Sequence, residues 1–343
     1  MGDSAVQKEE INESVCSELM AAVAIGQLKE SKRFELTKTV VEASSYEHAM
    51  KFLSRADLVA ARVTIERCQD LNLLIVPITS KRYPKRLREI SAPPVVLYVQ
   101  TLDRERGIPG KALGVVGTRS ASIDVCRRAT EIAKDLAAAG IAVVSGLALG
   151  IDGAAHRGAL DSKIECATIA VLAHGLDRVY PPSHLGLARE IINSGGMIVS
   201  EYPPGVDPLK HHFLARNRII AGLSRGVLVV QAGARSGSLV TANFAADYGR
   251  DVFVFDDNVG GEASSGGSSL VDQGAIAVRS ARDILAEYGL AQSGEMISDE
   301  SAWTTTTLET FLSVTKLSSS DLLKLEIAGL LVRLPGNQVR VRN

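Results

Sequence analysis

The spacing of apolar positions changes along this chain, and each change marks a boundary. From about residue 11 to 75, Val15, Leu19, Met20 and Val23 recur at helical intervals. No Gly or Pro falls between Gln27 and Val76, which predicts a helical region. The stretch ITSKRYPKRLREISAPPVVLYV then sets five cations among eight residues from Lys81, followed by Pro93, Pro94 and a β-branched strand. From about 112 to 285 an apolar strand, a Gly-containing turn and an amphipathic helix alternate. The strands are ALGVVG, AGIAVVSG, ATIAVLAHG, MIVSE, GVLVVQAG and DVFVF. Runs this continuous suit strands buried on both faces, so the expected fold is α/β, a mostly parallel, doubly wound sheet with its ligand at the carboxyl edge.

Two glycine- and serine-containing stretches interrupt or end that pattern. GGEASSGGSS, Gly260 to Ser269, reads as a surface loop, and AQSGEMISDESAWTTTT as a linker. The tail predicts a helix over LLKLEIAGLLVRL, a turn at Pro335, Gly336 and Asn337, and an alternating strand QVRVR, together a winged-helix-like module. The expected division is a small N-terminal helical domain over 1–76, an α/β domain over 77–290, a linker over 291–306 and the winged-helix-like module over 307–343.

Composition narrows the class without naming a function. The 343 residues suffice for two to three domains, and no apolar run approaches the roughly 18 residues of a membrane span. No membrane partner is expected. Cys16, Cys68, Cys126 and Cys166 form no CxxC pair, so neither a zinc ribbon nor a disulfide framework is expected. The acidic start MGDSAVQKEE lacks the order of a signal peptide, pointing to the cytoplasm. Lys and Arg total 38 against 39 Asp and Glu, which excludes a protein that binds nucleic acid with its whole surface but leaves room for a local basic patch.

Candidate chemistry gathers at the turns after strands. In GVVGTRSAS, Gly117 permits a tight turn, Thr118 or Ser120 is placed to cap the next helix, and Arg119 reinforces an anion site at the helix start. The spacing is not GxGxxG, so no nicotinamide or other cofactor is implied. SGLALGIDGAAHRGAL has the same plan with Ser145, Gly146 and Gly150. Its Asp152 and His156 read as a helix cap and a satisfied core histidine, since one acid and one imidazole make half a metal site. AHGLDRVYPPSH offers Asp177, Tyr180 and His184 but no activated nucleophile, so no catalytic residue is assigned. In QAGARSGSLVTANF, Ser236, Gly237, Ser238 and Thr241 put hydroxyls and flexible backbone at a helix start. Each turn alone is also consistent with an ordinary capped helix; three on one edge suit a row of phosphates.

Charge is concentrated as well. Between Pro208 and Ala246 there is no Asp or Glu, while Lys210, Arg216, Arg218, Arg225 and Arg235 are all cationic. With a helix from Phe213, Ile219, Ile220 and Leu223 form the buried stripe, Arg216 lies over it one turn earlier and Arg218 points roughly opposite. Arg216 is then the candidate for an anion in the cleft, and Arg218 reaches along the outer surface or holds a neighbouring acid. A solvated charged face is the alternative.

The stretches GTRSAS, SGLALGIDGAAHRGAL, TIAVLAHGLDRVYPPSH, IVSEYPPG, FLARNRIIAGLSRGVLVVQA, SGSLVTANFAADYGRDVFVF and LVDQGA, in that order, resemble the bacterial DNA-processing protein A family, DprA, also called Smf. RYPKRLREISAPPVVLYV and LLKLEIAGLL resemble it too. The resemblance implies an extended Rossmann-like domain that binds and protects single-stranded DNA, forms homodimers and loads the RecA recombinase, including in natural transformation. Its DNA pocket would involve Gly117, Thr118, Arg119, Ser145, Gly146, Lys210, Phe213, Arg216, Asn217 and Arg218. Phe213 would be a stacking platform for bases, with a core role as the alternative. The chain departs from the family pattern at His174, His184, Gln231, Asp256 and Asp257. The last two add negative charge at the sheet edge, and Gln231 removes an acid.

Two other classes remain. Phosphoribohydrolases of the lysine-decarboxylase-like group use PGGxGTxxE, but here no acid follows Thr241 at the required position. A regulator reading duplex DNA would use Arg333, Arg340 and Arg342 in the tail.

Overall fold

Alternation inside each short apolar run builds the sheet. The computed structural model describes residues 17–256, 265–290, 303–307, 331–334 and 338–342, and the chain divides into two compact units, Met1–Gly289 and Leu290–Asn343. In the first, β1 (Leu74–Pro77), β2 (Val96–Gln100), β3 (Ala112–Val116), β4 (Ala142–Ser145), β5 (Thr168–Leu172), β6 (Met197–Ser200), β7 (Gly226–Val229), β8 (Asp251–Phe255) and β9 (Ile276–Val278) form one sheet. Its order is β1-β2-β6-β5-β4-β3-β7-β8-β9, parallel except for the β1/β2 and β2/β6 pairs. Leu113 and Val115, Val143, and Leu228 pack in one core; Ala112 and Val116, Val144, Val227 and Val229 pack in the other, on the opposite face. Both faces are covered, as the unbroken apolar runs require.

The helical reading of the N-terminal segment holds for residues 17–26 (α1), Glu30–Ala43 (α2), Glu47–Met50 (α3) and Arg55–Asp70 (α4). Ser54 and Asp57 close α4 with a reciprocal capping box. The last residues of that reading, Leu74 and Ile75, instead open β1, because they pair with Tyr98 and Val99 of β2. Within the basic run, Lys85–Arg88 forms the short helix α5.

One face is covered by α6 (Ile123–Ala138), α7 (Ile151–Asp161) and α12 (Ala281–Glu287). The other is covered by α8 (Leu185–Asn193), α9 (Lys210–Leu223), α10 (Gly237–Asp247), α11 (Ser265–Asp272) and the N-terminal helices. Helix α6 meets α7 through small residues, Ala129 and Ala133 against Ala154, Ala155 and Gly158. A Cβ at Gly158 would lie inside van der Waals contact of the Thr130 carbonyl. The Gly260–Ser269 stretch is not a loop throughout: Ser265 opens α11, whose Gly266 N donates to Ala232 O at 2.9 Å. Gly266 approaches the Ala232 and Gly233 carbonyls of the β7–α10 turn and Gly267 approaches Val254 of β8, close packing that offsets a helix-propensity cost of about 1 kcal/mol each. Residues 260–264 lie outside the described residues.

Helix α9 carries the connection from β6 back across β5, β4 and β3 to β7. Arg218 anchors it: Nη1 and Nη2 each donate to Glu201 at 2.7 Å, and Nε donates to Ala92 O at 3.0 Å. The pair is buried just beyond β6. Burial alone would raise the Glu201 carboxyl, but the Arg218 guanidinium more than reverses this and holds it below its ordinary value.

In the second unit, β10 (Trp303–Thr307), β12 (Gln338–Arg342) and β11 (Leu331–Leu334) form an antiparallel sheet in that order. The expected strand QVRVR is present as β12, with Leu334 of β11 opposite Gln338. Two expectations change. Residues 331–334, the end of the predicted helix, pair as a strand because ladder hydrogen bonds to β12 override a pattern that alone fits either element. Trp303–Thr307, assigned to the linker apart from its last residue, pairs with β12 for the same reason. The rest of the predicted helix and the turn lie outside the described residues. Among the described residues, no helix is long and apolar enough to cross a membrane.

Gly158→Ala should destabilise the first unit by about 1–3 kcal/mol, read by denaturant unfolding, because α6 and α7 must separate. Glu201→Ala should cost about 3–5 kcal/mol by stranding a buried guanidinium, while Glu201→Leu with Arg218→Met should recover most of the loss. Since the folded carboxyl is depressed, the pair's stabilisation is complete above the ordinary glutamate pKa and is lost as pH falls through the lowered value.

Candidate functional site

The strand order reverses between β3 and β7, and their carboxyl ends leave the crevice where such sheets bind ligands. Two turns face each other there, tied by Thr118 N donating to Gln231 O at 2.9 Å. After β3, Ser122 is the N-cap of α6 and accepts from Val125 N. The predicted caps do other work: Thr118 Oγ1 accepts from Ser120 N within the turn. After β7, Ser236 caps α10 and lies 2.7 Å, hydroxyl to hydroxyl, from Ser238. Between the turns opens a cavity of about 260 Å³. Gly117, Thr118 and Arg119 line it from one side, Ser236, Gly237, Ser238 and Thr241 from the other. Phe213, Arg216 and Asn217 enter from α9.

Arg216 is the unusual group. It is 3% exposed, and its guanidinium forms no salt bridge among the described residues. Nη1 donates to Val171 O at the end of β5, and Nε to Asn217 Oδ1 at 3.2 Å. Burial pulls its pKa down to about 10, the nearby Asp152 opposes this and Arg119 adds to it, so Arg216 stays charged at neutral pH. Asn217 in turn donates to Gly237 O at 3.1 Å, joining α9 to the β7–α10 turn. Gly146 makes room for this arrangement, because a Cβ there would overlap the Arg216 guanidinium. A buried cation without a bonded carboxylate, among hydroxyls and helix starts, is suited to an anion. Arg119 is exposed, forms no ion pair among the described residues and lies 5.3 Å over the Phe213 ring.

Not every expected residue reaches the cavity. Ser145 is buried beneath it, its Oγ donating to Val115 O at 2.6 Å. Lys210 is exposed at the start of α9, one turn before Phe213, and does not line the cavity. Arg218 points away, as the helical phase predicts, and both its terminal nitrogens are held by Glu201. Of the two roles left open for it, holding a neighbouring acid is the one observed.

The other candidates are structural. Asp152 is the one carboxylate lining the cavity among the described residues. It accepts from Gly146 N and Ala148 N of the preceding turn, so it braces that turn rather than capping α7. Burial pushes its carboxyl up, with Arg216 opposing. His156 bonds Thr168 Oγ1 at 2.7 Å and is pushed down to about 3 by burial, hence neutral. Asp177 accepts from Gly205 N and Arg67. Among the departures, His184 Nδ1 meets Leu147 O at 2.9 Å and His174 is buried against Gly175 O. Gln231 does not line the cavity but supports it through its carbonyl. Asp256 is paired with Arg279 at 3.1 Å, so it adds no uncompensated charge; Asp257 lies outside the described residues. Sequence reasoning missed Ala148 and Leu214 as cavity walls. Leu214, an apolar residue on the outer side of a cationic helix, was the available signal.

Comparison with known proteins identifies the family and the fold. The family model described as DNA recombination-mediator protein A matches residues 74–289. Protein Smf of Escherichia coli is 36% identical over 293 residues, covering 78% of this chain and 77% of that protein. The DNA processing protein DprA of Bacillus subtilis is 40% identical over 212 residues, 62% of this chain and 70% of its own. Against Smf of Synechocystis, 41% identical, the match spans 56% of the relative's length. The crystal structure of DprA from Streptococcus pneumoniae superposes with a TM-score of 0.57 at 34% identity, covering 74% of this chain and 86% of that one. DNA processing protein A from Helicobacter pylori, a structure titled for its single-stranded DNA binding mode, gives 0.55 at 28% identity, over 63% and 95%. By its family match, its relatives and its fold, the chain belongs to the DNA recombination-mediator protein A family, DprA/Smf.

Proposed function

We propose that this protein binds single-stranded DNA without sequence preference, gripping phosphates in the β3/β7 crevice. The observation that carries the reading is Arg216, a buried guanidinium that forms no salt bridge among the described residues and opens onto hydroxyls and helix starts. A phosphate diester supplies the missing charge. Arg119 adds a second cation beside an aromatic ring, the pairing that unpaired strands use. The relation to a protein whose structure is titled for single-stranded DNA binding supports the same class of ligand. The hydroxyls, helix starts and cations that line the cavity suit phosphate oxygens, contacts that carry no sequence information.

The wider role follows from the family: processing of exposed or incoming DNA, with homodimers extending the groove and the strand passed to RecA. That role belongs to the proposal, as does the assignment of Gly117, Thr118, Ser236, Gly237, Ser238 and Thr241 to phosphate contact, with Asn217 and Gly146 positioning Arg216. Lys210 would meet the strand outside the cavity.

Arg119→Ala and Arg216→Ala should each weaken oligothymidylate binding by about 10- to 100-fold at low salt. Each should also reduce the slope of log K against log salt by about 0.7, one counterion on a single strand. Wild-type slopes in both variants would remove the cavity from the binding surface. A gel-shift comparison at near-physiological salt should favour single strands over duplex; preference for the duplex would overturn the reading.

A further inference from the structure

The crevice leaves most of the basic run that begins at Lys81 without a role. Two of its five cations are taken up locally: Arg82 pairs with Glu105 at 2.7 Å, and Arg88 lies over the Tyr83 ring. Lys85 and Arg86 form no ion pair among the described residues, and Lys85 is exposed. They belong to α5, which packs on the end of α9 through Leu87 and Ile90 against Gly222. That end of α9 lies at the amino edge of the sheet, opposite the crevice.

The same edge carries a regular feature of the strands. The residue just before each of three neighbouring strands is a cation: Lys111 before β3, Arg225 before β7 and Arg250 before β8. Their alignment is fixed by the sheet, since Arg225 N donates to Ala112 O at 2.8 Å and Gly226 is in register with Asp251. Neighbouring strands lie about 4.8 Å apart, so the three cations are set at successive steps across the edge. Arg250 Nη2 donates to Arg86 O at 3.3 Å, which joins α5 to this row. Arg225 stacks 3.9 Å from the centre of the Tyr288 ring, a contact that fixes the guanidinium and leaves its charge unpaired. Burial and Asp251 raise the Tyr288 hydroxyl, and Arg225 and Arg86 oppose them, so both guanidinium groups bear on one hydroxyl.

This charge exceeds what the fold uses. Glu89 stands 3.4 Å from Arg250, but Lys85, Arg86, Lys111 and Arg225 form no ion pair among the described residues. Arg225 and Arg250 follow the ends of α9 and α10, where a cation complements the helix dipole. Lys111 follows no helix, and Lys85 opens α5, the end at which a cation is disfavoured. A protein near overall neutrality has thus gathered exposed, unpaired cations at a second edge, about 15 Å of strand away from the first.

We propose that the amino edge of β3, β7 and β8, with α5, is a second contact surface for DNA, which holds phosphates of a single strand beyond the length seated in the crevice. The proposal rests on the single-strand reading above and adds a separate stretch of the strand's path. Side chains on this surface offer charge and no enclosed hollow, so they grip backbone and leave bases free.

The test varies strand length. It compares an oligothymidylate of about 8 nucleotides, within the 4–16 that one single-strand site covers, with one of about 50, each titrated at several salt concentrations. Lys85→Ala combined with Lys111→Ala should weaken binding of the long oligomer about tenfold at low salt and lower its salt slope by about 1.4, two counterions at about 0.7 each. Arg225→Gln should lower that slope by about 0.7. Both variants should bind the short oligomer like the parent, whereas Arg216→Ala should lose affinity for both lengths. Thermal melting checks that the exposed substitutions leave the fold intact. Parent-like binding of the long oligomer by both variants, while Arg216→Ala loses it, would overturn the second surface and leave the crevice reading standing. Equal losses on the two lengths would also overturn it, since the charge would then act on the crevice itself. A parent protein that binds neither length would overturn both readings.

Discussion

A guanidinium taken out of water needs a partner of opposite charge, and α9 places two of them two residues apart under different terms. Arg218 has its partner, with both terminal nitrogens on Glu201. Arg216 has carbonyl and amide oxygens instead, from Val171 and Asn217, with Asp152 acting only through space. Desolvating an ion costs several kcal/mol, and neutral oxygens offset only part of it. The surrounding structure is arranged around that cost. Helix α9 crosses three strands, Gly146 leaves no side chain in the way, and Asn217 ties α9 to Gly237. The charge left over lines the crevice between β3 and β7.

The same helix separates two kinds of recognition. Its inward face supplies charge to a small polar hollow, and Phe213 brings it to an apolar ledge shared with Tyr180. A nucleic-acid strand has that same division, a charged backbone and flat apolar bases. In the proposed complex the backbone meets the rigid groups, Arg216 and the capped turns. Such an interface reads the polymer rather than its sequence.

Much of this was legible beforehand. The six apolar runs named from sequence all became strands, because runs buried on both faces admit few other positions in a sheet. The opposed directions of Arg216 and Arg218 followed from helical phase alone. Errors arose where short-range rules met long-range contacts. Thr118 and Ser120 looked like caps, but the turn is longer and ends at Ser122. Gly266 and Gly267 read as loop residues, yet their small size lets α11 sit against the β7–α10 turn and against Val254 of β8. Leu331–Leu334 fits either period and was decided by its neighbour β12.

Local pattern, then, determined the α/β class, the strands, the cationic helix and the sheet edge where the candidate site lies, since each depends on periodicity or on charge counted along the chain. Tertiary structure alone decided which cations are neutralised: Arg218 is held by Glu201, 17 residues away in sequence, and Arg216 forms no salt bridge among the described residues. It also decided that Tyr180, from a loop to which the sequence assigns no catalytic role, stands beside Phe213. Pairing and adjacency of this kind arise from how β6, α9 and the 177–184 segment are laid across one another, and nothing within either partner's own stretch of sequence encodes the distance between them.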